Sequence, residues 1–219
     1  MFNKILKKKY IYIFLFIFCY QSTYGSELFK AAEHNDFSEV KKQIESGYNV
    51  DFPMIDENNH RHTALMMACK NLNYKIVKLL IDNGANVRIV DSFGDCALGY
   101  TMSNLGKYPS IFGEREEKED KEQEFDFIND ETKENFKKII SLLLLKGIDI
   151  NYSNEYGVTL LHRAAEKNVH PDIIKILLRF GANPILQDQK GKRPIDLTEN
   201  PTIRKILSRP IRKHECIIL

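Results

Sequence analysis

Residues 155–188, EYGVTLLHRAAEKNVHPDIIKILLRFGANPILQD, constrain the chain most, because they spell one complete turn, helix, turn, helix unit whose key positions recur elsewhere. Gly157 stands two residues before Thr159, where a tight turn needs positive φ, and Leu160, Leu161, Ala164 and Ala165 follow at helical spacing. His170 and Pro171 interrupt this first helix. Pro171 suits the first position of a second helix, whose Ile173, Ile174, Ile176, Leu177 and Leu178 make a broad apolar face. Gly181 stops it in the left-handed conformation.

With Leu161 as a phase marker, the same position is held by Leu28, Leu65, Leu98 and, more weakly, Ile195, at intervals of 37, 33, 63 and 34 residues. The helix-closing glycines Gly47, Gly84, Gly147 and Gly181 lie 19, 19, 49 and 20 residues after their leucines. The two rulers agree, and they place an excess of 30 residues between the two helices of the third unit.

Thr159, Leu160, Leu161, His162 and Ala164, with Gly181, Ala182 and Asn183, resemble the ankyrin repeat, whose first helix opens on TPLHxA and whose second ends in a GA pair. Leu160 stands where that pattern has proline. The resemblance implies an all-α solenoid of about five helix-turn-helix units joined by β-hairpin-like turns. The units are 27–56, 57–91, 92–154 with an insertion at 110–134, 155–188 and 189–208, leaving 209–219 as a tail. The first unit begins directly with LFKAAEHND, as an N-terminal cap would, and the last carries Asp196 and Thr198 at positions that are apolar or small elsewhere. Arg61 replaces the turn glycine of the second unit, so its loop is expected to be longer and less regular. The third unit loses its alanine pair to Met102 and Ser103. The resemblance gives His162 a structural hydrogen-bonding role, and with Met66 and Gly99 at the equivalent positions that network is expected only in the fourth unit.

Residues 1–25 read as a secretory signal peptide: Lys4, Lys7, Lys8 and Lys9 precede an apolar run at 11–20, and Gly25 and Ser26 offer a small-residue cleavage site. This predicts a secreted or periplasmic protein, with an uncleaved N-terminal membrane anchor as the alternative. Phe18 before Cys19 argues against lipoprotein processing. The formal charge of +2 falls close to neutral without the signal, and no basic face points to nucleic acid. A preference for Lys, Asn, Ile and Phe suits an AT-rich bacterial genome. Cys69 and Cys96 fall at the small, buried positions of their units, where packing is preferred over a disulfide.

Asp56, Glu57, His60 and His62 are the densest group of metal-ligand types, but they lack the spacing of a structural zinc site, and the reading is a hydrated hairpin tip with no metal. No nucleophile elbow, phosphate-cradling loop or paired carboxylates support an enzyme, and no cofactor is expected. The segment 114–134 has net charge −7 and reads as a mobile loop with a partly helical end, a solvated loop by preference, with docking of a basic partner through the apolar island of Phe125, Phe127 and Ile128 as the alternative. An enzyme with its chemistry in this insertion would need an ordered pocket there. Cys216, Ile217, Ile218 and Leu219 spell a CaaX box, with Arg209, Arg212 and Lys213 upstream. Prenylation at Cys216 would suit a bacterial effector delivered into a host cell.

Binding another protein as a monomer is the function that the resemblance implies, with hairpin tips and first helices lining a concave face. The tip residues are Asp91, Ser92, Phe93, Asn154, Glu155, Tyr156, Gln187, Asp188 and Lys190; the first-helix residues are Met67, Lys70, Arg163 and Lys167. Phe93 and Tyr156 are expected to be the anchors, because aromatics in a polar surround carry interface energy.

Overall fold

The computed structural model describes residues 27–56, 60–105 and 129–209. The signal segment, Cys19, Glu57, the apolar island of the insertion and Cys216 lie outside them. The elements are α1 (27–33), α2 (Phe37–Glu45), a hairpin of β1 (Met54–Ile55) and β2 (Arg61–His62), α3 (Ala64–Lys70), α4 (Tyr74–Asp82), α5 (Ala97–Tyr100), α6 (Asp130–Leu145), α7 (Leu160–Glu166), α8 (Pro171–Arg179), a 3-10 turn (Pro194–Leu197) and α9 (Pro201–Leu207). Among the described residues no helix is long and apolar enough to cross a membrane.

The helix boundaries follow from capping chemistry. Thr63 and Thr159 accept the N–H groups of Met66 and His162 and start α3 and α7, while Asp36, Asn73, Asn129 and Asn200 cap α2, α4, α6 and α9 in the same way. In the third unit Cys96 occupies the cap position and makes no side-chain cap bond. Its helix α5 is a single turn, after which Thr101 returns its hydroxyl to Leu98 O at 2.7 Å. α6 begins at Asp130, so residues 130–134 form its first turn.

The helices form two rows. α3, α5, α7 and the 3-10 turn pack successively in the inner row; α2, α4 and α6 do so in the outer row, where α8 packs on α9. Lys133 of α6 reaches Asp172 of α8 at 3.4 Å. One continuous core runs between the rows, with Ala32, Ala68 and Ala164 fully buried and Val40, Ile76, Phe136, Ile139, Ile173 and Ile174 filling it from the outer side. The rows approach closely where the inner helices present only a methyl group. Cys69 and Cys96 are free thiols buried in this core, and burial pushes the Cys69 thiol far above its ordinary value.

His162 shows how one residue ties units together. Its Nδ1 accepts the Thr159 N–H at 3.2 Å, which places the ring proton on Nε2, and Nε2 donates to Lys192 O at 3.0 Å. Sequence restricts this network to the fourth unit, and the structure corrects that in part. Met66 Sδ lies 3.4 Å from the Thr63 N–H and reproduces the cap half of the motif. A thioether carries no second polar atom for the next hairpin.

The hairpin turns stack as well. Asp91, Asn154 and Asp188 each accept two backbone N–H groups of their own turn, and each turn places a glycine two residues before the strand-like residue that precedes the helix. Glu155 N–H donates to Phe93 O at 3.4 Å, Gln189 N–H to Tyr156 O at 3.0 Å, and Tyr152 hydroxyl to Gly94 O at 2.8 Å. Gly157 has φ +74°, and a Cβ there would stand 3.0 Å from Gln189 N and 3.1 Å from Asp188 Cα. Both neighbours are backbone and cannot swing aside, so Gly157→Ala should lower stability by about 1–3 kcal/mol. An unchanged urea midpoint would show that hairpin stacking contributes nothing.

A second prediction concerns His170, whose Nδ1 accepts the Asp172 N–H at 3.2 Å to cap α8. Burial holds this imidazole below its ordinary value, with Lys133 and Lys175 acting in the same direction and Asp172 opposing. The folded state therefore binds fewer protons here than the unfolded chain. Its contribution is complete above the unfolded value near 6.5 and is lost as pH falls below it. His170→Asn keeps a capping oxygen without titrating, so stability between pH 7 and pH 5 should fall less steeply in the variant than in the parent.

Candidate functional site

Stacked turns on rigid helix pairs place the tip residues along one ridge. Tyr156 is 53 % exposed and Phe93 39 %. Gln187 and Lys190 are exposed, as are Ser92 and Glu155; Gln189 Nε2 donates to Glu155 O at 2.5 Å. Asp91 is different. It is buried, its Oδ1 accepts the N–H groups of Phe93 and Asp95, and its Oδ2 accepts the Tyr100 hydroxyl at 2.7 Å, so its carboxylate is committed inward. Asn154 and Asp188 are half-buried and spend a side-chain oxygen on their own turns. Phe93 also has a partner: its ring lies 4.6 Å from that of His60 across the preceding hairpin.

The inner helices α3 and α5 line an adjoining groove. Met67 is buried at 4 % exposure, so it offers a floor and not a projecting contact. With Phe29, Glu33, Met54, Asp56, His62, Lys70, Tyr100 and Ser103 it lines an open cavity of about 480 Å³. Lys167 Nζ donates to Ser103 O at 2.9 Å, and Arg163 pairs with Asp95 of the neighbouring unit. The fold thus brings Met67 and Lys70 to one cavity and uses Arg163 and Lys167 as ties between the third and fourth units.

Two polar clusters emerge that the sequence did not assemble. In the first, Asp95 meets Arg163, and burial holds the Asp95 carboxyl above its ordinary value although Arg163 opposes the shift. In the second, Tyr100 joins His62 to Asp91. Its hydroxyl receives His62 Nδ1 at 2.8 Å and donates to Asp91 Oδ2. Burial, followed by that bond, pushes the hydroxyl far above its ordinary value and keeps it a donor. Tyr100 carries no signal in the sequence, since its partners His62 and Asp91 both come from the preceding unit.

A family model described as ankyrin repeats (3 copies) matches residues 28–111, and one described as ankyrin repeats (many copies) matches residues 143–197. A putative ankyrin repeat protein of Acanthamoeba polyphaga mimivirus is 29 % identical over 171 residues, covering 69 % of this chain and 27 % of its own length. A putative ankyrin repeat protein of Fowlpox virus is 26 % identical over 195 residues, covering 86 % and 48 %. A phosphocholine transferase of Legionella pneumophila is 26 % identical over 153 residues, covering 63 % of the chain but 15 % of the enzyme. The chain spans half or less of the length of these relatives.

The Asp95–Arg163 pair yields an asymmetric prediction. Arg163→Ala leaves a largely buried carboxylate without its countercharge and should cost about 1–3 kcal/mol, whereas Asp95→Asn removes the charge that burial disfavours and should cost less than about 1 kcal/mol. Equal losses in urea denaturation would mean that desolvation of Asp95 is not the deciding effect.

Proposed function

The chain belongs to the ankyrin-repeat family, and on that premise we propose that it is a monomeric protein-binding scaffold without catalysis of its own, acting outside the cytoplasm after removal of residues 1–25. The observation that carries this reading is the aromatic ridge. Tyr156 and Phe93 stand exposed on turns whose backbones are hydrogen bonded to their neighbours, beside a concave cavity floored by Met67. Rigid aromatic side chains lose little conformational freedom on contact, which is why such positions dominate interface energies. The likeness to the Legionella enzyme covers 15 % of that protein and supports a shared repeat, not a shared reaction.

The test is affinity capture from the native periplasmic or secreted fraction, followed by titration of the identified partner. Tyr156→Ala and the double variant Phe93→Ala/Tyr156→Ala should weaken binding by about 10-fold and 100-fold or more. Both should stay folded, although Phe93→Ala also loses the contact with His60. The captured chain should begin at Ser26. Equal binding by the double variant, or capture only from the cytoplasm with an intact N-terminus, would overturn the reading.

A further inference from the structure

One side-chain cluster is not accounted for by the binding ridge. The first hairpin pairs Met54 with His62 and Ile55 with Arg61, and its ladder extends one step further, where Asp56 N–H donates to His60 O at 3.0 Å. Side chains alternate between faces along a strand. Asp56, His60 and His62 therefore share one face, while Ile55 and Arg61 take the exposed other. One ligand atom from each of Asp56, His60 and His62 lies within 4.8 Å of the others. His60 Nδ1 is 3.1 Å and His62 Nε2 is 3.4 Å from the same oxygen, Asp56 Oδ2.

The protonation of His62 is set from its far side. The Tyr100 hydroxyl has one proton and gives it to Asp91, so it must accept from His62, and Nδ1 carries the hydrogen. Nε2, on the other side of the ring, then faces Asp56 Oδ2 at 3.4 Å, a contact that a cation shared between them makes attractive. A ring nitrogen fixed by a hydrogen bond to an outer partner, with the other nitrogen facing a carboxylate, is the arrangement of a metal-ligating histidine.

We propose that Asp56, His60 and His62 bind a divalent transition-metal ion, with zinc best matched to two imidazoles and one carboxylate. Tyr100 and Asp91 orient His62, and the Phe93 ring at 4.6 Å holds His60 in place. Asp56 and His62 also line the 480 Å³ cavity. The three protein ligands therefore leave a coordination position on the groove side, where water or a donor from a docked chain can complete the shell. Such a site binds exchangeable ligands, in contrast to a closed structural site. Sequence spacing hides it because the third ligand is brought back by a turn and its support comes from the next unit.

The test is calorimetric titration of zinc into the full chain, purified without a polyhistidine tag and treated with chelator. The site predicts one ion bound with a Kd below about 10 µM. His62→Gln and Asp56→Asn should each weaken binding at least ~10-fold. Tyr100→Phe, which touches no ion, should also weaken it by about 10-fold, a loss that loose surface chelation would not show. His60→Gln, at the hairpin tip, carries the test if His62→Gln does not fold by circular dichroism. Unchanged binding in these variants would assign zinc to other donors and overturn the proposal. No binding below about 100 µM would overturn it too.

Discussion

A seven-residue helix paired with a nine-residue helix cannot enclose its own apolar face, and this constraint shapes everything else in the molecule. Each pair must borrow a surface from the next, so stability is a chain of nearest-neighbour contacts. Ala32, Ala68 and Ala164 have no exposed surface because the outer helices of their units press directly on them. Where the third unit departs from the pattern, the core is kept by other means. α5 shrinks to one turn, but Met102 and Leu105 are still buried behind it, and the longer α6 brings Phe136, Ile139, Ile140 and Leu143 fully inside.

Polar groups then fix the spacing that burial alone would leave loose. Asn71 Nδ2 donates to Glu33 O at 2.7 Å, Asn183 N–H donates to Asn151 Oδ1 at 2.7 Å, and His162 reaches Lys192 O, so each unit satisfies backbone groups of its neighbour. The same logic explains Leu72, which keeps φ at +52° while only 8 % exposed. Asn35 and Asn168 occupy the equivalent turns with φ +61° and +50° and tolerate the left-handed region more easily. Leucine is held there by burial of its side chain.

The fold was legible to an unusual degree because its determinants are local. Thr159 as a cap, Pro171 at a helix start, and Gly157 and Gly181 at φ +74° and +90° act within a few residues, so their offsets appear directly in the chain. The candidate surface was legible only in outline. Tyr156 and Phe93 are exposed on the ridge, but Asp91 faces inward and Met67 forms a floor, because exposure depends on what the neighbouring unit lays against a residue.

The sequence by itself determined the phase of the repeats and the pairing of helices, since caps, prolines, glycines and apolar periodicity each act over a few residues. Only the tertiary structure decided which polar groups meet. Asp56, His60 and His62 look like a hydrated loop until the hairpin ladder sets all three on one face and Tyr100, reaching across from α5 with Asp91 behind it, fixes the proton on His62. That convergence depends on register and on the stacking distance between units. Neither quantity is written at any single position of the chain.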